Sequence, residues 1–245
     1  VKTPIASAID RLETSGVDWH YILYEELLKP YIQELDQALE ERVRKGKTIC
    51  PSPFDIFQPL VLCSFSDTKV VMLGDYPHSG YNLATGRAFD TFDNIFEADL
   101  PKALKNIHKE LKRDLNLPKE TEMKHSFYPL CVQGLLPISV VPTCESGSVD
   151  IHRDYGWETL TEVIIKFLGK SPSPIAFMLL GSKAHSYAKF IKNHHLVLKL
   201  PHPRPNTCGD GFFFSSPFTR TNDFLRKHNK SPIDWGSLQL RRRWP

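Results

Sequence analysis

The chain has 245 residues, 41% hydrophobic and 24% charged, and its 31 Lys and Arg nearly balance 28 Asp and Glu, for a formal charge of +3. That composition predicts an ordinary globular unit with a sizeable core, and excludes a disordered chain, which would be poorer in apolar residues and farther from neutrality. Only 13 Gly exclude a collagen repeat, and a charge of +3 neither requires nor opposes a nucleic-acid partner.

In chain order, residues 19–45 carry apolar side chains at three- and four-residue steps (Ile22, Leu23, Leu27, Leu28, Ile32, Leu35, Leu39, Val43), broken only by Pro30. This predicts two abutting helices or one kinked helix. Pro51-Ser52-Pro53 forms a stiff loop. Residues 69–74 are a compact apolar run closed by Gly74, the pattern of a buried strand feeding a loop. Further helices are predicted over 100–115, 157–168, 184–193 and 218–227, and strands over 135–141, 175–181 and 196–200. Strands alternating with helices give an α/β fold: a three-layer αβα sandwich around a mostly parallel four-stranded sheet. The whole of 1–245 reads as one domain, with 1–48 a helical N-terminal segment.

Five cysteines (Cys50, Cys63, Cys131, Cys144 and Cys208) contain no C-x-x-C pair, which argues against a disulfide scaffold and a zinc site. Free thiols, no apolar run of bilayer length and no secretory leader at Val1-Lys2-Thr3-Pro4 predict a cytoplasmic or nuclear protein. Trp157, Trp235 and the run Phe212-Phe213-Phe214 read as buried scaffold, and Arg241-Arg242-Arg243 as a solvated basic tail.

Three predicted strands end in loops rich in residues that shape backbone or carry chemistry: Gly74-Asp75-Tyr76-Pro77-His78, Ser139-Val140-Val141-Pro142-Thr143 and His202-Pro203-Arg204-Pro205-Asn206. Ligands of open parallel sheets bind outside the carboxyl ends of the strands, which places a site at Asp75, His78, Ser139 and His202.

These loops resemble those of the uracil-DNA glycosylases, over roughly the C-terminal four-fifths of the chain. GDYPHSGYNLATGRAF, from Gly74 to Phe89, aligns without gaps with the family's GQDPYHGPGQAHGLAF-like water-activating loop. The stretch from Gln133 to Trp157 aligns with the one that begins QGVLLLN and closes in GW, and Leu180-Gly181-Ser182 with the LWGS phosphate-binding loop. His202-Pro203-Arg204-Pro205 matches the HPSPLS loop that inserts into DNA. Phe212-Phe213, Phe218, Thr221-Asn222 and Pro232-Ile233-Asp234-Trp235 match the GFFG to PIDW tail, and Pro51-Ser52-Pro53 a loop touching the DNA backbone.

The resemblance implies a DNA glycosylase fold and hydrolysis of the N-glycosidic bond of a flipped-out uracil or modified pyrimidine, without cofactor or metal. DNA, single- or double-stranded, is the implied partner; a replication or repair protein is a further one, and the chain reads as a monomer. Phe89 falls where the family stacks on the flipped base, and His202 where it stabilises charge on the uracil oxygen. Ser52 and Ser182 fall at phosphate grips, and Arg204 adds a charge there. The pocket departs from the family pattern elsewhere. Tyr76 stands where the family has its catalytic Asp, Asp75 where it has Gln, His78 where it has the Tyr guarding the five-position, and Ser139 where it has the Asn reading uracil. Arg204 replaces a Ser, and Asn206 the wedge Leu.

Asp75 is the only acid in its loop. It reads either as a displaced catalytic acid or as a turn cap with Tyr76 filling the vacated place, although a phenol of ordinary pKa about 10 is a poor base. Ser139 and His78 together suggest a roomier pocket that admits a five-substituted pyrimidine. The alternative is a catalytically inactive glycosylase fold kept for DNA binding or assembly; Lys183, Arg204 and Arg220 near the expected DNA face favour DNA contact.

Overall fold

A computed structural model describes residues 2–80 and 82–240. It opens with three helices, α1 (Pro4–Thr14), α2 (Trp19–Leu27) and α3 (Pro30–Arg44). Pro4 and Pro30 each sit in a first helical turn, where the missing N–H has no intrahelical partner to lose. Pro30 therefore begins a helix instead of bending one, and the stretch 19–45 is two helices. Their apolar faces bury Trp19, Leu23, Ile32, Leu35 and Leu39, and Trp19 Nε1 donates to the Cys63 carbonyl at 2.9 Å.

The main sheet contains β2 (Val70–Gly74), β3 (Leu135–Ser139), β5 (Ala176–Leu180) and β6 (Leu196–Leu200), all parallel, in the order β3-β2-β5-β6. Side chains alternate between faces with period two. Val71, Leu73, Leu136, Ile138, Phe177 and Leu179 enter one core with α1–α3, α4 (Gln58–Leu62) and α7 (Trp157–Lys170). Val70, Met72, Leu135, Met178, Leu198 and Leu200 enter the other, against α5 (Lys102–Asp114), α6 (Tyr128–Cys131) and α9 (Pro217–Lys227). Burial on both sides explains the near-continuous apolar strands. A second, two-stranded sheet, β1 (Ile49–Cys50) with antiparallel β4 (Cys144–Glu145), is too short to leave a periodic signal. Arg42 of α3 grips Glu145 there, its Nη2 donating to Oε2 at 3.1 Å, and ties the N-terminal helices to the sheet.

One element and one side chain differ from expectation. In place of one helix over 184–193 there is a single turn, α8 (Ser182–His185), followed by a tighter 3₁₀ turn, Ser186–Phe190. Ala184, Tyr187 and Phe190 recur every third residue on the inward side, the repeat of the tighter helix. Phe212 is buried, but Phe214 is 81% exposed and is not scaffold. Trp157 and Trp235 are core residues, the former donating from Nε1 to Thr143 Oγ1 at 2.7 Å. All five cysteines are free and buried. Among the described residues no helix is long and apolar enough to cross a membrane, and no cluster of three metal-ligating side chains forms. The arginine tail at 241–243 lies outside the described residues.

Candidate active site

From β2 the chain proceeds to β3 on one side, whereas from β5 it proceeds to β6 on the other. The carboxyl ends of β2 and β5 therefore flank the switch point of the sheet, and the loops that follow them border the crevice in which such sheets take ligands. Asp75 follows β2 and Gly181 follows β5. Main-chain bonds fix the first loop: the Val140 N–H donates to the Gly74 carbonyl at 2.8 Å, and that of Val141 to the Asp75 carbonyl at 3.1 Å.

The Asp75 side chain turns into the crevice and is 5% exposed. Its Oδ2 accepts from Arg204 Nη2 at 2.8 Å, while Oδ1 is buried without a partner. Burial raises the Asp75 pKa, against the opposing pull of Arg204, Lys183 and His185. Gly181 leaves room for both this carboxylate and the imidazole opposite: a Cβ there would lie 3.3 Å from Asp75 Oδ1 and 3.3 Å from His202 Cβ. His202 Nδ1 accepts the Arg204 N–H at 3.1 Å, so the proton of the neutral ring sits on Nε2. Burial, with the nearby Arg204 charge, pushes the His202 pKa down to about 4, and the ring is a neutral donor at pH 7. Thr207 Oγ1 donates to the His202 carbonyl at 2.6 Å and steadies the loop.

Phe89 forms the floor. Its ring lies 5.4 Å from that of His202, and a Cβ on Gly74 would come within 2.5 Å of its Cζ, so glycine is needed beneath it. Phe89 is held at a left-handed φ of 69°. The strain is offset by the segment around it: the Ala88 N–H donates to the Pro137 carbonyl at 3.0 Å, and fully buried Asp90 accepts from Arg87 Nε at 2.5 Å, from the Phe127 N–H at 2.7 Å and from Thr85 Oγ1. Burial lifts the Asp90 pKa to about 6 despite Arg87. His78 leans on the Phe89 main chain, its Nε2 is buried without a partner, and burial lowers its pKa. Ser139, buried, ends β3 directly beside Gly74.

Tyr76 faces elsewhere. Its hydroxyl donates to Asp150 Oδ1 at 2.6 Å and accepts from Arg153 Nη2 at 2.9 Å and from Lys183 Nζ, which also stands 4.3 Å over its ring. The phenol is thus spent on a polar cluster at the mouth and does not occupy the place beside His202. Ser52 precedes the 3₁₀ turn Pro53–Asp55, and Ser182 opens α8; both are exposed, as are Arg204 and Asn206 on the loop after β6. The crevice therefore joins Asp75, His78, Phe89, Ser139 and His202, ringed by Ser182, Arg204 and Asn206. The Arg87–Asp90 staple and the Asp150–Arg153–Lys183 cluster were not foreseen. Arg87 and Asp90 at three-residue spacing was the one signal for the former, whereas the latter gathers on Tyr76, which is 74 positions from Asp150 and 107 from Lys183.

A neutral imidazole and a buried carboxylate meet at Gly181 beside an aromatic ring, at the switch point of a parallel sheet, and define an α/β protein with its titratable groups gathered at the carboxyl ends of the strands. No family model matches the chain. The uracil-DNA glycosylase of Brevibacillus brevis is 39% identical over 221 residues, spanning 89% of this chain and 93% of its own length. That of Anoxybacillus flavithermus is 38% identical over 221 residues, spanning 89% and 95%. Among solved structures, mimivirus uracil-DNA glycosylase shares the fold, with a TM-score of 0.82 at 22% identity over 91% of this chain and 88% of that one. The chain belongs to the uracil-DNA glycosylase family.

Proposed function

We propose that the crevice takes one pyrimidine flipped out of DNA and that Asp75 and His202 hydrolyse its N-glycosidic bond. As a member of its family the chain is a DNA N-glycosylase of the uracil-DNA glycosylase superfamily, and DNA is its partner. The carrying observation is the convergence of the Asp75 carboxylate and the His202 imidazole on Gly181, beside the Phe89 ring.

Extrusion costs a few kcal/mol of stacking and pairing. Ser52, Ser182 and Arg204, exposed around the mouth, offset it by gripping phosphates, while Asn206 fills the vacated stack. The base stacks on Phe89. As the C1′–N1 bond breaks, its electron pair moves onto the base, and His202 Nε2–H stabilises the charge at a pyrimidine oxygen. Asp75 faces the cationic sugar, orients the attacking water and takes its proton. Arg204 supplies the counter-charge that keeps a buried carboxylate ionised.

For the base, Ser139 and His78 support a pocket that admits a five-substituted pyrimidine besides uracil, since a hydroxyl replaces a reading amide and an unpartnered ring nitrogen replaces a phenol. The chain acts as a single domain and a monomer in a reducing compartment, with a replication or repair protein as a further partner. The experiment is base release from oligonucleotides carrying uracil, thymine, hydroxymethylated or glycosylated pyrimidines. Abasic product on at least one, lost in Asp75→Asn with DNA affinity retained, supports the assignment. DNA binding without product on any of them overturns it in favour of an inactive DNA-binding fold, the reading that Tyr76 in the family's acid position supports.

A further inference from the structure

Away from the crevice, α5 and the loop 213–216 enclose a cavity of about 1160 Å³ that contains none of the site residues. Its construction is unusual. Glu110, fully buried, accepts from Arg113 Nε at 2.9 Å and Nη2 at 2.8 Å, from the Phe214 N–H at 3.0 Å and from the Ser216 N–H at 3.1 Å. This clamp holds Phe214 and Ser216 at left-handed φ values of 66° and 49°. Backbone strain of this kind persists only where the surroundings impose it. What it achieves is to hold the Phe214 ring 81% exposed at the cavity wall, with the Arg113 guanidinium 5.3 Å from its centroid. Beside it, Lys109 Nζ stands 4.6 Å over the Phe213 ring.

The chemistry around these rings is cationic. Lys105, Lys109, Lys112 and Lys119 line the cavity, and among the described residues none of them forms an ion pair. Glu97, Glu120 and Glu122 are also in the lining, and Glu110 there is paired with Arg113, so the surface is a set of separate cations among acids and not a uniform positive field. On the floor, His108 and His125 are at least nine-tenths buried, their rings 5.8 Å apart, and His108 Nε2 and His125 Nδ1 have no partner. The same helix that lines the cavity, α5, also reaches the loop assigned to DNA: Asn106 donates from Nδ2 to the Pro203 carbonyl at 2.8 Å.

We propose that this cavity is a second DNA subsite, in which the single strand leaving the crevice stacks a base on Phe214 and lays its phosphates along Lys105, Lys109 and Lys112. One exposed ring, Phe214, beside cations without acidic partners suits a nucleic-acid single strand, whose bases all offer a stacking face and whose phosphates recur between them. The proposal rests on the glycosylase reading only for the direction in which the strand arrives.

The test is fluorescence anisotropy on single-stranded oligonucleotides of increasing length with one central uracil, extended on the 5′ or the 3′ side. Wild type is expected to gain affinity with length on one side. Phe214→Ala and the double variant Lys109→Ala/Lys112→Ala should lose at least about fivefold, the scale of one stacked base, on long strands only. Base release from the shortest substrate should be unchanged. The lysine variant should also flatten the salt dependence by about 0.7 per lost contact. Equal affinity at all lengths in wild type, an equal loss at every length in the variants, or displacement of the long strand by a poly-glutamate peptide at equal charge would each overturn the subsite. Absence of base release with the length dependence intact would instead refute only the catalytic assignment.

Discussion

Asp75→Asn separates the proposed catalytic role of this carboxylate from its cost to the fold. Asp75 is 5% exposed, with one oxygen on Arg204 and the other buried without a partner. Its pKa is raised by burial, so the folded state favours the neutral form. A raised folded pKa contributes stability that is complete below the unfolded carboxylate value of about 3.9 and is lost as pH rises through the folded value. At pH 8 the wild-type protein carries that penalty. Leaving a buried acceptor unsatisfied costs about 1–3 kcal/mol. The Arg204 pair returns little, because its guanidinium is half exposed and screened by solvent. Asparagine keeps the shape but brings an amide with needs of its own, so the lower end, about 1 kcal/mol, is expected, or about 2–4 °C in melting temperature for a chain of this length. Differential scanning fluorimetry at pH 8 and pH 4 measures it: stabilisation at the higher pH, shrinking toward nothing at the lower. Base release should meanwhile fall by about 10²–10⁴-fold. A variant that releases base like wild type, or whose stability gain is the same at both pH values, would refute the reasoning.

His202→Ala should lower the single-turnover rate by about 10²–10³-fold with DNA affinity retained. Because the wild-type imidazole has a pKa of about 4, the rate should show no titration of this group between pH 6 and 8; a step near 6.5 removed by the variant would count against a neutral donor. Arg87→Ala strands the fully buried Asp90 charge under Phe89 and should cost about 3–5 kcal/mol in urea denaturation, whereas a loss below about 1 kcal/mol would mean that Asp90 simply protonates. Tyr76→Phe removes a hydroxyl that faces Asp150, Arg153 and Lys183, and base release should stay near wild type; collapse of activity would return the reaction to Tyr76. His78→Tyr should shift the ratio of uracil to five-substituted release toward uracil by about 10–200-fold, the range that small changes in pocket size produce. An unchanged ratio would remove His78 from base selection.

The sheet was legible because β2, β3 and β5 are buried on both faces, which writes a continuous apolar run into the sequence, while the edge strand β6 keeps the run broken only by exposed Lys199. So were the long helices, whose faces meet one core. What stayed hidden has local causes. The ribbon of Ile49–Cys50 with Cys144–Glu145 is two residues long on each side. The turn after Gly181 takes the three-residue repeat of Ala184, Tyr187 and Phe190, which a helical periodicity counts as its own. Phe214 follows two phenylalanines that face inward and is turned out only because Glu110, 104 positions away, holds its backbone. In the crevice, sequence placed Asp75 and Tyr76 side by side but could not say which enters, since that depends on what receives the other. Asp150, Arg153 and Lys183 receive Tyr76, and Arg204 and Gly181 leave the crevice to Asp75.

The departures from the family pattern are therefore not independent losses. Asp75 and Arg204, 129 positions apart, replace a glutamine and a serine of that pattern and meet as an ion pair. A carboxylate moved one place along the loop becomes more buried in charge terms than an amide would be, and it acquires a cation from the opposite loop. Tyr76, in the place where the family pattern has its acid, is drawn outward by Lys183, the residue after Ser182. An abandoned pocket gains nothing from keeping a buried, half-satisfied carboxylate, because losing it stabilises the protein at neutral pH. Asp75, with its own counter-ion and a second oxygen that no group satisfies, has the arrangement that the proposed catalytic acid requires.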